Sequence, residues 1–307
     1  MEANITAYGI FTGCGTVLCI LWFFLSFRRK ADTGRAAALS ALVLLLGAVL
    51  GFLCARGAWI LMRFNVFRAK DLLTLRYDEL SWWGGAGGVI LAVWLSAKIL
   101  RLPSREVLNA FAPAGALLAA VFRFAEGYLG FHGLGFVQAW VEKGLFFPVT
   151  TEIVWDETYS EFYLAVYMLS GLCCLGAMAF ALLRGKDRDR LVRTLFYLCL
   201  PQILLESLRM QSINWLFVRV EQLLCFLVCE GIIVRYAFRG GAKRLRSWIP
   251  ALAGLAVCGV VIAGEFALDG KIRIGEEAIS HGLIYGIFAL VLLGLAAVEH
   301  RAHRQFE

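Results

Sequence analysis

The sequence predicts an all-α integral membrane protein, a polytopic helical bundle of about nine transmembrane helices, N-terminus outside and C-terminus cytoplasmic. Three observations lead there. Of the 307 residues, 60% are hydrophobic and only 17% are charged. With a mean hydropathy of +0.73, the chain is far more apolar than a soluble protein, which is nearer half apolar and a quarter charged. Apolar runs of spanning length recur from end to end. Lysine and arginine gather in alternate loops, the pattern that marks the cytoplasmic side.

The first run covers about 8–27 and is followed by Arg28, Arg29, Lys30 and Arg35. No basic region precedes it, so it reads as an uncleaved first helix and not as a secretory signal. The second run covers about 37–62. A connector at 63–81 carries Arg63, Arg68, Lys70 and Arg76 among acidic residues. It is expected to lie outside, along anionic lipid. The third run, 83–100, leads into Arg101 and Arg105, and the fourth covers 108–124. An outer segment at 126–161 follows, where Glu126, Glu142, Glu152, Asp156, Glu157 and Glu161 face a single Lys143. The fifth run, 162–183, enters the basic RGKDRDRLVR. The sixth, 194–208, and seventh, 215–237, precede RGGAKRLR. Two more, 248–263 and 282–298, bracket an acidic loop with Glu265, Asp269, Glu276 and Glu277, and the chain ends in EHRAHRQFE.

The net charge of +7 is spread over these loops and implies no nucleic-acid role. Nine cysteines all lie in apolar runs, without the spacing of metal ligands. They read as small core residues, and neither a metal nor a cofactor is expected. No repeat or low-complexity linker appears, so one membrane domain is the simplest organisation.

Polar residues inside the apolar runs are costly and draw attention to themselves. Arg56 sits in GFLCARGAWILM. Arg123 and Glu126 end the fourth run. Gln202, Glu206 and Arg209 lie in PQILLESLRM, at spacings that share one helical face. By the predicted orientation Arg56, Arg123, Glu126, Glu206 and Arg209 approach the outer leaflet, and they are expected to share a polar cavity there. Arg219 and Glu221 lie near the same depth without a defined place. Two readings compete. The pairs could simply fix helix register. Several arginines in excess of acid favour an anion site, because the guanidinium fork matches phosphate. Gly84 and Gly85, with Gly87 and Gly88, would let a helix or a lipid approach the backbone closely. Trp82 and Trp83 read as interfacial belt residues. His132 is a candidate base, although a solvated loop histidine is the simpler reading.

Taken in order, these motifs resemble the bacterial prolipoprotein diacylglyceryl transferase family. ITAYGIFTG supplies the opening Tyr8-Gly9 pair, and CARGAW supplies Arg56 of a GARL-like patch. SWWGGAGGV follows an SFHGGLIGG-like pattern, with Trp83 at the histidine. NAFAPAGALLAAVFRFAEGYLG matches at Pro113 and Arg123, with Glu126 at the asparagine of an RIGN signature. QILLESLR keeps Glu206 and Arg209 of an RFIVEFFR-like span, with Gln202 at its first arginine, and Gln222 matches downstream.

The resemblance implies a seven-helix transferase-like domain over 1–238, with 239–307 adding two helices and a cytoplasmic tail. It implies transfer of a diacylglyceryl group from phosphatidylglycerol to a cysteine thiol of a lipoprotein precursor, at the outer face of the cytoplasmic membrane. The implied catalytic residues are Arg123, Glu126, Glu206 and Tyr8. Arg56, Gln202, Arg209, Gly84, Gly85 and His132 would bind substrate. The expected partners are phosphatidylglycerol, the precursor peptide and membrane lipids. The alternative is a family relative that has lost the chemistry and binds or handles lipid.

Overall fold

The computed structural model describes residues 3–63, 79–135, 149–154, 160–184, 188–210, 212, 214–215, 218–239, 245–271, 273–274, 277–278 and 280–306. Most of the connector at 63–81 and much of 126–161 lie outside these residues. Nine α-helices dominate the described chain: α1 (Ile5–Phe27), α2 (Thr33–Met62), α3 (Trp82–Ile99), α4 (Ser104–Ala125), α5 (Val166–Leu183), α6 (Arg190–Ser207), α7 (Val220–Arg239), α8 (Leu245–Leu268) and α9 (His281–Phe306). Six of them, α1, α2, α4, α5, α8 and α9, are long and apolar enough to cross a membrane. The other three fall short of that for identifiable reasons. α3 opens on tryptophan and glycine, α6 contains Arg190, Arg193 and Glu206, and α7 contains Glu221, Glu230, Arg235 and Arg239. The protein is a multi-pass membrane protein.

The helices group into two compact units, residues 1–194 and 195–307. In the first unit α4 is the central element, packed against α1, α3 and α5. Its alanines explain this. Ala110, Ala112, Ala114, Ala116, Ala119 and Ala120 are all buried, so neighbouring helices approach closely. α2 and α3 form the most intimate pair. A methyl group at Gly84 would overlap the carbonyl oxygen of Cys54, and one at Gly88 would overlap that of Leu50. At one end of this unit Phe23, Phe27, Leu39, Val43, Val93, Ala97, Val107 and Phe111 form an apolar core. Nearby, Arg105 pairs with Asp189 at 3.2 Å and Asn109 donates to the carbonyl of Arg188 at 2.7 Å. At the other end the backbone N–H of Asn4 donates to the carbonyl of Tyr128 at 2.8 Å. This brings the start of α1 to the end of α4. Ser81 caps α3 there, and its own N–H donates to Ala55 at 3.0 Å.

The second unit holds most of α6 and all of α7, α8 and α9, with α8 packed on both α7 and α9. At one end Glu299 of α9 accepts from the hydroxyls of Tyr197 at 3.1 Å and Tyr236 at 3.4 Å.

Several element ends differ from the sequence reading. Three antiparallel hairpins were not expected: β1 (Thr150–Val154) with β2 (Ser160–Leu164), β3 (Asn214–Trp215) with β4 (Val218–Arg219), and β5 (Arg273–Ile274) with β6 (Glu277–Ala278). The fifth helix therefore begins at Val166 and not at 162, because Phe162 to Leu164 pair with β1. The seventh begins at Val220 and not at 215, for the same reason. α8 runs past 263 to Leu268, so Glu265 is helical and buried, not a loop acid. Arg209 lies beyond the end of α6, in a turn closed by its N–H to the Glu206 carbonyl at 3.2 Å.

Candidate functional site

α4 ends in a chain reversal. After Ala125 the backbone tightens into a 3-10 turn, Glu126–Tyr128, and a second one, Gly130–Gly133. The tightening leaves Arg123 in the last turn of α4 and swings Glu126 back onto it. Arg123 Nη1 donates to Glu126 Oε1 at 2.6 Å, with the arginine side chain 1% and the glutamate side chain 13% exposed. The guanidinium also lies 4.4 Å from the ring centre of Trp82, at the start of α3. Trp83 meets Trp82 edge to face at 4.6 Å. A buried cation needs a counter-charge, and an aromatic face adds to its hold. Arg123 has both. Tyr8 of α1 is close enough to feel the charges of both Glu126 and Arg123. Three helices and a turn thus bring Tyr8, Trp82, Arg123 and Glu126 together.

Arg56 is buried near the end of α2. Its Nη1 donates to Glu79 Oε2 at 2.5 Å and to the Glu79 carbonyl at 3.1 Å. Its guanidinium lies 4.9 Å from the ring centre of Trp59, whose ring also has Arg63 at 5.4 Å. Arg56 therefore ties the approach to α3 onto α2. Gly84 and Gly85 face α2, where a Cβ on Gly85 would lie 3.6 Å from that of Ala55. The side chain of His132 lies outside the described residues.

In the second unit Glu206 lies in the last turn of α6 and pairs with Arg209 at 3.3 Å, both buried. Gln202 is buried one turn earlier. The organising residue here is Arg219 of β4. Its Nη1 lies 2.7 Å from the Glu206 carbonyl, 2.9 Å from the Arg209 carbonyl and 3.1 Å from Ser212 Oγ. Its Nε lies 3.6 Å from Glu265 Oε2. Glu265 also accepts from Gln222 Nε2 at 2.9 Å, and Gln222 donates to the Ile203 carbonyl at 2.9 Å.

Sequence reasoning missed Glu79, the Trp82 contact and the role of Arg219 and Glu265. Each depends on a partner far away in the chain, which spacing does not encode. Among the described residues no cluster of histidine, cysteine, aspartate and glutamate could hold a metal ion.

A family model described as prolipoprotein diacylglyceryl transferase matches residues 1–237. The chain belongs to that family. No curated protein and no solved structure matches it. Membership in the prolipoprotein diacylglyceryl transferase family supports, in general, diacylglyceryl transfer to a prolipoprotein. The matched segment takes in Tyr8, Arg56, Glu79, Arg123, Glu126, Glu206, Arg209 and Arg219, but not Glu265.

Proposed function

We propose that the protein transfers the diacylglyceryl group of phosphatidylglycerol to a cysteine thiol of a lipoprotein precursor, at the outer face of the cytoplasmic membrane. The observation that carries this is the buried Arg123, held between Glu126 at 2.6 Å and the face of Trp82 at 4.4 Å. The thiol sulfur attacks the glyceryl carbon that bears the phosphate. A carbon–sulfur bond forms, the carbon–oxygen bond to phosphate breaks, and glycerol phosphate departs with the bonding electrons. Negative charge grows on the departing oxygen, and a fixed guanidinium beside it lowers the barrier. Arg123 takes that position, and the hydroxyl of Tyr8 bonds the headgroup.

The thiol proton needs an acceptor. Trp83 stands where the family pattern has histidine, and an indole N–H can only donate. Its Nε1 is buried with no hydrogen-bond partner among the described residues, which suits it to donate to a lipid oxygen. The acceptor is then Glu126. Arg56 borders this site, and Glu206 and Arg209 form a second buried charge pair in the other unit. The basic loops after α1, α3, α5 and α7 and the basic end of α9 lie in the cytoplasm.

Incubating the purified protein with labelled phosphatidylglycerol and a lipobox peptide tests the reading. A thioether-linked, labelled peptide is expected. Lipid binding without any such product would instead establish a lipid-handling protein that has kept the scaffold.

A further inference from the structure

We propose that Glu265, on a helix outside the segment shared with the family, is a positioning residue for Glu206 and Arg209. The inference rests on the transferase reading only for its kinetic arm. α6 ends at Ser207. There the helix has given way to a turn, in which the Glu206 carbonyl accepts from the Arg209 N–H at 3.2 Å and keeps a second lone pair free for another donor. Arg219 takes over, reaching the carbonyls of Glu206 at 2.7 Å and Arg209 at 2.9 Å and the hydroxyl of Ser212 at 3.1 Å. These are the backbone atoms that carry the Glu206–Arg209 pair. A guanidinium makes such contacts well only when its own orientation is fixed.

Glu265 fixes it. Its two carboxylate oxygens divide the work. Oε2 faces Arg219 Nε at 3.6 Å, and Oε1 accepts from Gln222 at 2.9 Å. Gln222 in turn is anchored on the Ile203 carbonyl, one turn before Glu206. Glu265 is therefore the shared acceptor of two donors, and both donors grip the same stretch of α6. All of these residues belong to one compact unit. The family match ends at residue 237, so this chain takes from α8 a support that the matched segment does not contain.

The test compares Glu265→Ala, Glu265→Gln and Arg219→Ala with Asp269→Ala, an exposed acid paired with Lys271. Amide hydrogen exchange at 206–212 should rise in Glu265→Ala and in Arg219→Ala. It should rise less in Glu265→Gln, which keeps an acceptor oxygen but loses the charge, and stay unchanged in Asp269→Ala. In the transfer assay kcat should fall about tenfold or more in both alanine variants, with KM for the lipid little changed, because orientation and not binding is lost. The double variant should be no worse than either single one, as expected of two groups acting in one chain of contacts. Unchanged exchange at 206–212 in Glu265→Ala would overturn the proposal, whatever happens to activity. So would additive losses in the double variant. If Glu265→Ala does not fold, Glu265→Gln and Arg219→Ala decide by the same exchange readout. If the wild-type protein makes no thioether, the transferase reading fails, and the exchange arm still decides the role of Glu265.

Discussion

Arg123 is held in two ways, and each is separable by substitution. Lysine at this position keeps the charge but loses the fork and the guanidinium's contact with the Trp82 ring. Charged hydrogen bonds are worth about 1.5–3 kcal/mol. Arg123→Lys should therefore weaken binding of anionic lipid by roughly ten- to a hundredfold, measurable by titrating phosphatidylglycerol into the detergent-solubilised protein. Glu126→Gln separates two roles. If Glu126 takes the thiol proton, turnover stops while lipid binding stays nearly intact. A parallel fall of both would make it only the partner of Arg123. These residues were legible in the sequence because a charge inside an apolar run is a local signal. Partners three residues away, Glu126 for Arg123 and Arg209 for Glu206, were legible with them, but the distant partners were not. Nothing near Arg123 in the chain points to Trp82, and nothing near Arg56 points to Glu79, which lies near the far end of the connector between two helices. Glu265 was legible as an acid but not as a buried one, since its burial depends on Arg219 in another element.

Among the elements, the long apolar helices were the readable part, because spanning length and hydropathy are properties of the segment itself. Their ends were less so. A run of apolar residues continues unbroken from β2 into α5, and composition does not register the change from strand to helix at Ala165. Two-residue strands such as β3 and β4 are too short to show any alternation. The α2–α3 seam offers a sharp test at this scale. Gly88 lies against the backbone of α2, whereas Gly87, its neighbour, has nothing near its missing side chain. Gly88→Ala should destabilise the protein by about 1–3 kcal/mol, as overpacking does. Gly87→Ala should leave the melting temperature in detergent unchanged or slightly raised, since alanine is the better helix former. Equal effects would show that the seam is looser than its geometry.

For the whole molecule, the alternation of basic loops predicts which residues face which compartment. In a cysteine-free background, a cysteine at the exposed Glu152 should react with an impermeant maleimide on intact cells. One at the exposed Arg188 should react only after the membrane is opened. Labelling of Arg188→Cys from outside would reverse the orientation and with it the side on which Arg123 meets its lipid.

The glycine contacts of α3 also bear on how a lipid reaches that residue. Between α2 and α3 there is no room for a single methyl group on Gly84 or Gly88. There is then none for the methylenes of an acyl chain. A lipid tail cannot slip between these two helices without prising one backbone off the other. The pair is a closed wall, and a substrate arriving sideways from the bilayer has to find another door.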